Sequence, residues 1–214
     1  MPPVEMETVG ATGVAEFLAR ARDAILILHG LSAAIGVGAA TVTDALFFKF
    51  LKDFRISKRE AAALRAVSVV IWVALTLLIL TGIGLWVPEA ERLNRSPKFI
   101  AKTFIVGVII VNGILLNLWI APRLIRISFG VRHEHLPGEL RRARRFAFAL
   151  GAVSLTSWYS AFILGSLRSV ALGAGELLGL YALIVGAAVG ASQVIDWRLG
   201  RRGGQRDGRT TARR

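Results

Sequence analysis

The stretch Leu28–Phe48, "LHGLSAAIGVGAATVTDALFF", decides the fold. It is apolar enough, and long enough as a helix, to cross the roughly 30 Å hydrocarbon layer of a bilayer. Yet it holds His29 near one end and Asp44 near the other. Fifteen residues of α-helix advance about 1500°, roughly 60° past four full turns, so the two side chains share a broad face about 22 Å apart along the axis. Between them on that face stand Ala33, Gly36 and Ala40, with Thr43 beside Asp44. A stripe of small residues lets a second backbone or a flat ligand come close.

The rest of the chain repeats this character. Of 214 residues 54% are hydrophobic, and the mean hydropathy is +0.58. Apolar runs predict five spans near Ala24–Phe48, Ala63–Val87, Phe99–Ala121, Phe146–Leu167 and Ala174–Ile195. No period-two alternation competes with them. The expected fold class is therefore all-α, a polytopic transmembrane bundle of five spans, with residues 1–23 as an outer N-terminal segment and 196–214 as a basic, disordered cytoplasmic tail. Helix punctuation agrees with these limits. Ser57 and Glu60 form a capping-box pattern before span two, and Ser96 with Pro97 opens span three. Pro88 and Pro122 mark the ends of spans two and three.

The net charge of +13 is a topology signal rather than a nucleic-acid footprint, because the basic residues sit between and after the apolar runs without a recognition motif. Six basic residues lie between spans one and two, seven between three and four, and seven after span five. The other side holds six, Arg20, Arg22, Arg92, Arg95, Lys98 and Arg168, and Lys102 falls inside span three. The positive-inside bias places the N-terminus outside and the C-terminus in the cytoplasm. The absence of cysteine excludes disulfides and thiol chemistry. The acidic N-terminus does not read as a cleaved signal peptide.

Polar residues inside the spans are the candidate site. Ionisable groups at membrane depth are costly unless paired, hydrated or able to reach the interface. Span three carries Lys102 and Asn117, spaced like His29 and Asp44, and runs in the same direction as span one. Aligned in depth, an outer cluster of His29 and Lys102, with Glu176 as a further member, lies above an inner one of Asp44, Asn117 and Ser68. Asn112 lies between the two levels, and Thr81 joins the outer side. Asp44 is the foremost functional candidate, with a structural role as the competing reading. Asn112 and Asn117 also suit interhelical hydrogen bonding.

An imidazole followed by small residues suits haem b, with His29 ligating the iron and the small stripe making room for the macrocycle. His29 is the one histidine within a span, so a bis-His haem needs a second ligand from another subunit. His133 and His135, in "HEH", form a weak two-imidazole pattern in a basic loop, without a defined third ligand. No serine elbow, phosphate-binding loop, HExxH or nucleotide fingerprint appears. Gly175, Gly179, Gly186 and Gly190 form a stripe on span five that permits close contact with span one, a second subunit or another membrane partner.

The segment from Leu28 to Glu60, followed by "SVVIW" and "KTFIVGVIIVNG", resembles small uncharacterised multi-span bacterial inner-membrane proteins. That resemblance spans most of residues 24–195 and implies a topology and a bacterial inner-membrane location, not an activity. The His-bearing first helix is also similar to that of copper-resistance D-type membrane proteins, which implies metal or haem handling near His29. Only Met1 and Met6 are present as methionines, so copper is not carried over. The expectation is a small transporter or channel-like protein, or a membrane subunit supporting one, with a polar site between spans one and three. A haem-bearing redox protein and a structural partner in the membrane are the alternatives.

Overall fold

The computed structural model describes residues 13–53, 58–120 and 139–211, and among them every regular element is helical. Residues 13–20 form a helical lead-in to α1, Arg22–Asp53. Then follow α2, Lys58–Trp86, a 3-10 turn, Val87–Glu89, and a short α3, Ala90–Asn94. Next come α4, Pro97–Leu115, which ends in a π turn at Leu116–Ile120, then α5, Glu139–Ser166, and α6, Ala174–Thr211. Five segments are long and apolar enough to cross a membrane: Arg22–Leu46, Arg59–Asn94, Pro97–Trp119, Arg145–Ser166 and Ala174–Arg198. Among the described residues the protein is an all-helical bundle of five candidate membrane spans.

Its outside is what a lipid-facing surface requires. Val73, Leu80, Ile83, Phe104, Leu118 and Leu183 all project outward, well over a third exposed. An apolar patch on this scale is not sustained by a protein surface in water. Inside, Ala40, Leu75, Ile105, Ile109, Trp158, Ala161 and Tyr181 belong to one buried core. α5 is the central helix, packed against α1, α4 and α6, while α2 lies along α1.

Hydrogen bonds between helices reinforce that order. The Tyr181 hydroxyl of α6 donates to Ser157 Oγ at 2.7 Å, since the serine hydroxyl is directed at the Val153 carbonyl. Tyr159 of α5 reaches Thr41 of α1 at 3.1 Å. The closest approach is steric. A Cβ built on Gly36 would lie 2.3 Å from the Trp158 ring, and that ring is itself buried. Only glycine leaves room for the indole there.

Local punctuation agrees in part. Ser96 is the N-cap of α4 with Pro97 at its first position, although its side chain makes no cap hydrogen bond. Pro88 stands in the 3-10 turn after α2. Glu176 caps its own helix, accepting from the Gly173 amide at 2.8 Å, and does not join the His29 cluster. α6 continues through Thr211, past the expected limit of span five at Ile195, whereas the tail from 196 is expected to be disordered. Once a helix exists, each added residue gains a hydrogen bond without a new nucleus. Ser57, Pro122, His133 and His135 lie outside the described residues.

Among the described residues the glycine stripe on α6 packs on no neighbouring helix: a Cβ on Gly175, Gly179, Gly186 or Gly190 would meet nothing within 4 Å beyond its own helix. Gly36→Ala should therefore destabilise the bundle by about 1–3 kcal/mol through overpacking. Gly186→Ala should leave it as stable or slightly more so, because alanine favours helix. Thermal unfolding of the two variants in detergent checks the contrast.

Candidate functional site

At the end where α1, α4 and α6 begin, three helices meet through side chains in series. Thr81 of α2 donates its hydroxyl hydrogen to the Leu77 carbonyl at 2.6 Å, with a second contact to Leu78 at 3.2 Å. Its oxygen is therefore free to accept, and His29 Nδ1 of α1 stands 2.9 Å away. With Nδ1–H donating, His29 Nε2 presents a lone pair, and Lys102 Nζ of α4 donates to it at 2.9 Å. The tautomer follows from the partners, as it must where hydrogens are inferred. The series Lys102, His29, Thr81, Leu77 ties α4, α1 and α2 into one directional hydrogen-bond chain.

Space opens on both sides of this chain. Toward the bundle end lies a cavity of about 800 Å³, bounded by α1, α2, the α2–α4 connection, α4 and the end of α5. Toward the bundle centre lies a smaller one of about 150 Å³, walled by Val37, Ile109, Trp158 and Ala161. Leu26, His29, Leu78, Lys102 and Gly165 line both. Two glycines make the pair accessible. A Cβ on Gly82 would touch the His29 ring at 3.5 Å, and one on Gly165 would lie 3.6 Å from Lys102 Nζ.

The larger cavity gathers charge of one sign. Arg22, Arg92, Lys98, Lys102 and Arg168 line it, with Glu89 as the one carboxylate among its lining residues. Glu89 is shared: Arg22 Nε lies 3.2 Å from one oxygen, and Arg92 holds the other. Lys98 donates to the Leu167 carbonyl at the end of α5. Arg22, Glu89, Arg92 and Arg168 were not legible as site residues, because each sits in or beside a loop where a solvated charge is unremarkable. The available signal is that four of the six basic residues on the charge-poor side flank Lys102 in space.

The inner level is arranged differently. Ser68 donates to Asn117 Oδ1 at 3.0 Å, joining α2 to the π turn after α4. Asp44 packs against α5, and among the described residues no hydrogen bond joins it to Asn117. It is 8% exposed, with Oδ1 packed 3.4 Å from where a Cβ on Gly151 would be and Oδ2 without a hydrogen-bond partner among the described residues. Asn112, 3% exposed, donates to the Leu150 carbonyl at 3.1 Å and, among the described residues, leaves Oδ1 unsatisfied. Asp44 and Asn112 thus abut the same turn of α5. The seam expected between spans one and three is occupied by α5, which packs against both. At the opposite end Asp196, 2% exposed, pairs with Arg145 at 3.6 Å, a buried acid that its place in the last turns of span five does not single out.

These placements do not fit haem. Both ring nitrogens of His29 are engaged, one by Thr81 and one by Lys102. The small-residue notch at Gly36 that suited a macrocycle is filled by Trp158. Comparison with family models, with curated proteins and with solved structures finds no match for this chain.

The two levels should respond differently to substitution. Thr81→Val removes the acceptor for His29 and should cost about 0.5–2 kcal/mol of stability. Asp44→Asn removes an oxygen that has no partner and should not lower the melting temperature. Thermal unfolding of both variants in one detergent decides the matter, and loss of the Asp44→Asn protein from the membrane would show that Asp44 holds the bundle together.

Proposed function

We propose that this protein is a small transporter or channel-like protein of the bacterial inner membrane, or a membrane subunit of one. Its solute site is the cavity that ends on His29 and Lys102. The observation that supports this reading is the pair's position between two cavities. A bundle built only to be a partner for other chains has no need for an 800 Å³ opening at one end. Nor does it need ionisable groups at the floor of that opening, where burial is costly. A solute moving inward from the larger cavity meets Lys102 and His29 first. To reach the smaller cavity it has to separate Lys102 from His29 or replace one as the other's partner. Gly82 and Gly165 leave room beside the two side chains for that exchange. Below, Trp158 and Ile109 close the path at the centre of the bundle. A resting state open at one end and closed at the middle is the geometry of an alternating-access carrier.

Neighbouring residues at one depth supply the test. Ile79 lines the cavity, whereas Leu80 faces outward and is 59% exposed on the lipid side. Single cysteines introduced at each position, in a chain with no cysteine of its own, should separate. Ile79→Cys should react with a membrane-impermeant thiol reagent added from one side, because a thiolate forms only where water reaches it. Leu80→Cys should stay unlabelled. Equal protection of both would remove the cavity as a solute route.

The orientation has its own check. The excess of basic residues in the other connections of the sequence supports a cavity on the outer face, with the N-terminus outside and the C-terminus in the cytoplasm. A cytoplasmic reporter fused after Arg214 should be active and a periplasmic one silent. The reverse pattern would invert the direction in which the cavity opens.

A further inference from the structure

The side of the bundle that bears the large cavity has few basic residues, as topology rules require of an outer face. Those few are not spread over it. Four of the six, Arg22, Arg92, Lys98 and Arg168, line the cavity around Lys102. Orientation signals have no reason to converge on one cavity, and here they work against the bias that sets orientation. Five cations face one carboxylate, a net charge of +4, and that carboxylate is already shared by Arg22 and Arg92. Lys102 is the deepest of the five. Among the described residues its hydrogen-bond partner is the imidazole nitrogen of His29, and no carboxylate lies within ion-pair distance. An ammonium has three donors, so two remain to be directed at an occupant. α4 begins at the same cavity, and Ser96 there makes no side-chain cap, so the helix end adds its own attraction for negative charge.

The walls carry the second half of the argument. Leu26, Leu78, Ile79, Ile83, Phe99 and Val106 line the cavity between the cations. A bare inorganic anion would leave these surfaces wet or empty and would fill a small part of about 800 Å³. An occupant that satisfies both sets of groups has an oxyanion for Lys102 and its basic neighbours and an apolar body for the aliphatic walls. We propose that the cavity binds an amphipathic oxyanion, a phosphate or carboxylate joined to an apolar chain, with Lys102 as the primary contact and Lys98 and Arg168 as its neighbours. Such a molecule reaches the site either as an acidic lipid from the leaflet or as a soluble organic acid. This assignment rests on reading the cavity as the solute site and names what it takes.

The purified full chain in a neutral detergent, titrated with dodecyl phosphate, provides the test. Binding is followed by thermal shift and by the number of molecules retained in native mass spectrometry. One dodecyl phosphate should be held per chain, with affinity at least about tenfold weaker in Lys102→Gln. Because Lys102→Gln also breaks the link to His29, Arg168→Gln and Lys98→Gln, away from that link, should each weaken binding as well. Arg59→Gln, exposed at the other end of α2, should not. Retention of phosphatidylglycerol in the same stoichiometry supports the lipid source. Retention of dodecyl phosphate with no phosphatidylglycerol supports the soluble one.

Equal retention of dodecanol or phosphatidylcholine would overturn the anionic half of the proposal. Inorganic phosphate binding as tightly as dodecyl phosphate would overturn the amphipathic half. Dodecyl phosphate binding that is unchanged in all three cavity variants would overturn the site. Failure of binding alongside one-sided labelling of Ile79→Cys sinks the ligand class and leaves the solute route standing. Loss of that labelling sinks the route itself.

Discussion

Helices surrounded by lipid gain little by hiding apolar surface from one another, because the acyl chains are as apolar as leucine. What remains to organise this bundle is shape, and the decisive fit is the Trp158 indole in the notch left by Gly36. The ring occupies the place that a side chain at Gly36 of α1 would take, which locks α5 against α1 at that point. With α5 held there, α4 and α6 pack on its other sides and α2 lies along α1. The central position of α5 follows from one glycine and one tryptophan. It also separates α1 from α4 over much of their length, so those two helices communicate through individual long side chains.

The same plug explains why the bundle is solid in the middle and open at one end. Trp158 and Ile109 line the smaller cavity, and beyond it Gly82 and Gly165, which carry no side chains, lie beside His29 and Lys102. That leaves a gap that one long side chain from α4 crosses. Lys102 crosses it to His29, and Thr81 anchors the imidazole from the far side. Each helix contributes one group to the chain, and each group has a defined donor or acceptor role. The inner level is also bonded across helices, by Ser68 to Asn117 and by Asn112 to the Leu150 carbonyl. There, however, among the described residues Asp44 Oδ2 and Asn112 Oδ1, beside the Leu150–Gly151 turn, have no hydrogen-bond partner. The outer level is linked in series, and the inner one keeps acceptors to spare. Buried acceptors without partners are uncommon in native structures and mark positions that a proton, an ion or a water completes.

The cationic cavity runs against the uneven distribution of charge along the sequence. Twenty Lys and Arg lie between spans one and two, between three and four, and after span five, while the N-terminal segment and the remaining connections hold six. Four of those six line this cavity. Their pairing also confines them. Glu89 holds Arg22 and Arg92 together, and Lys98 is tied to the end of α5. The charges are thereby held at the cavity wall instead of extending freely into solvent.

How much was legible beforehand depended on whether a feature is local. The five spans follow from apolar run length against bilayer thickness, which no tertiary contact changes, so four stand within a few residues of where composition puts them, and span two runs on through the 3-10 turn and α3 to Asn94. The level of each polar group along its helix is also local, fixed by a rise of about 1.5 Å per residue. That is why Lys102 lies opposite His29 and Asn117 lies near Ser68. Which partner each group meets at its level is not local. Asp44 packs against Gly151 of α5, and Asn117 bonds Ser68 of α2, with α5 packed against both helices that share a register. Glu176 turns back to its own helix start, where its carboxylate accepts from the Gly173 amide. Arg22, Glu89, Arg92 and Arg168 come from four separate places in the chain, and only the folded bundle sets them around one opening. The sequence by itself determined how many helices cross and how deep each polar residue sits. The tertiary structure alone decided which of them meet, because helices in lipid choose their neighbours by fit at a few close contacts.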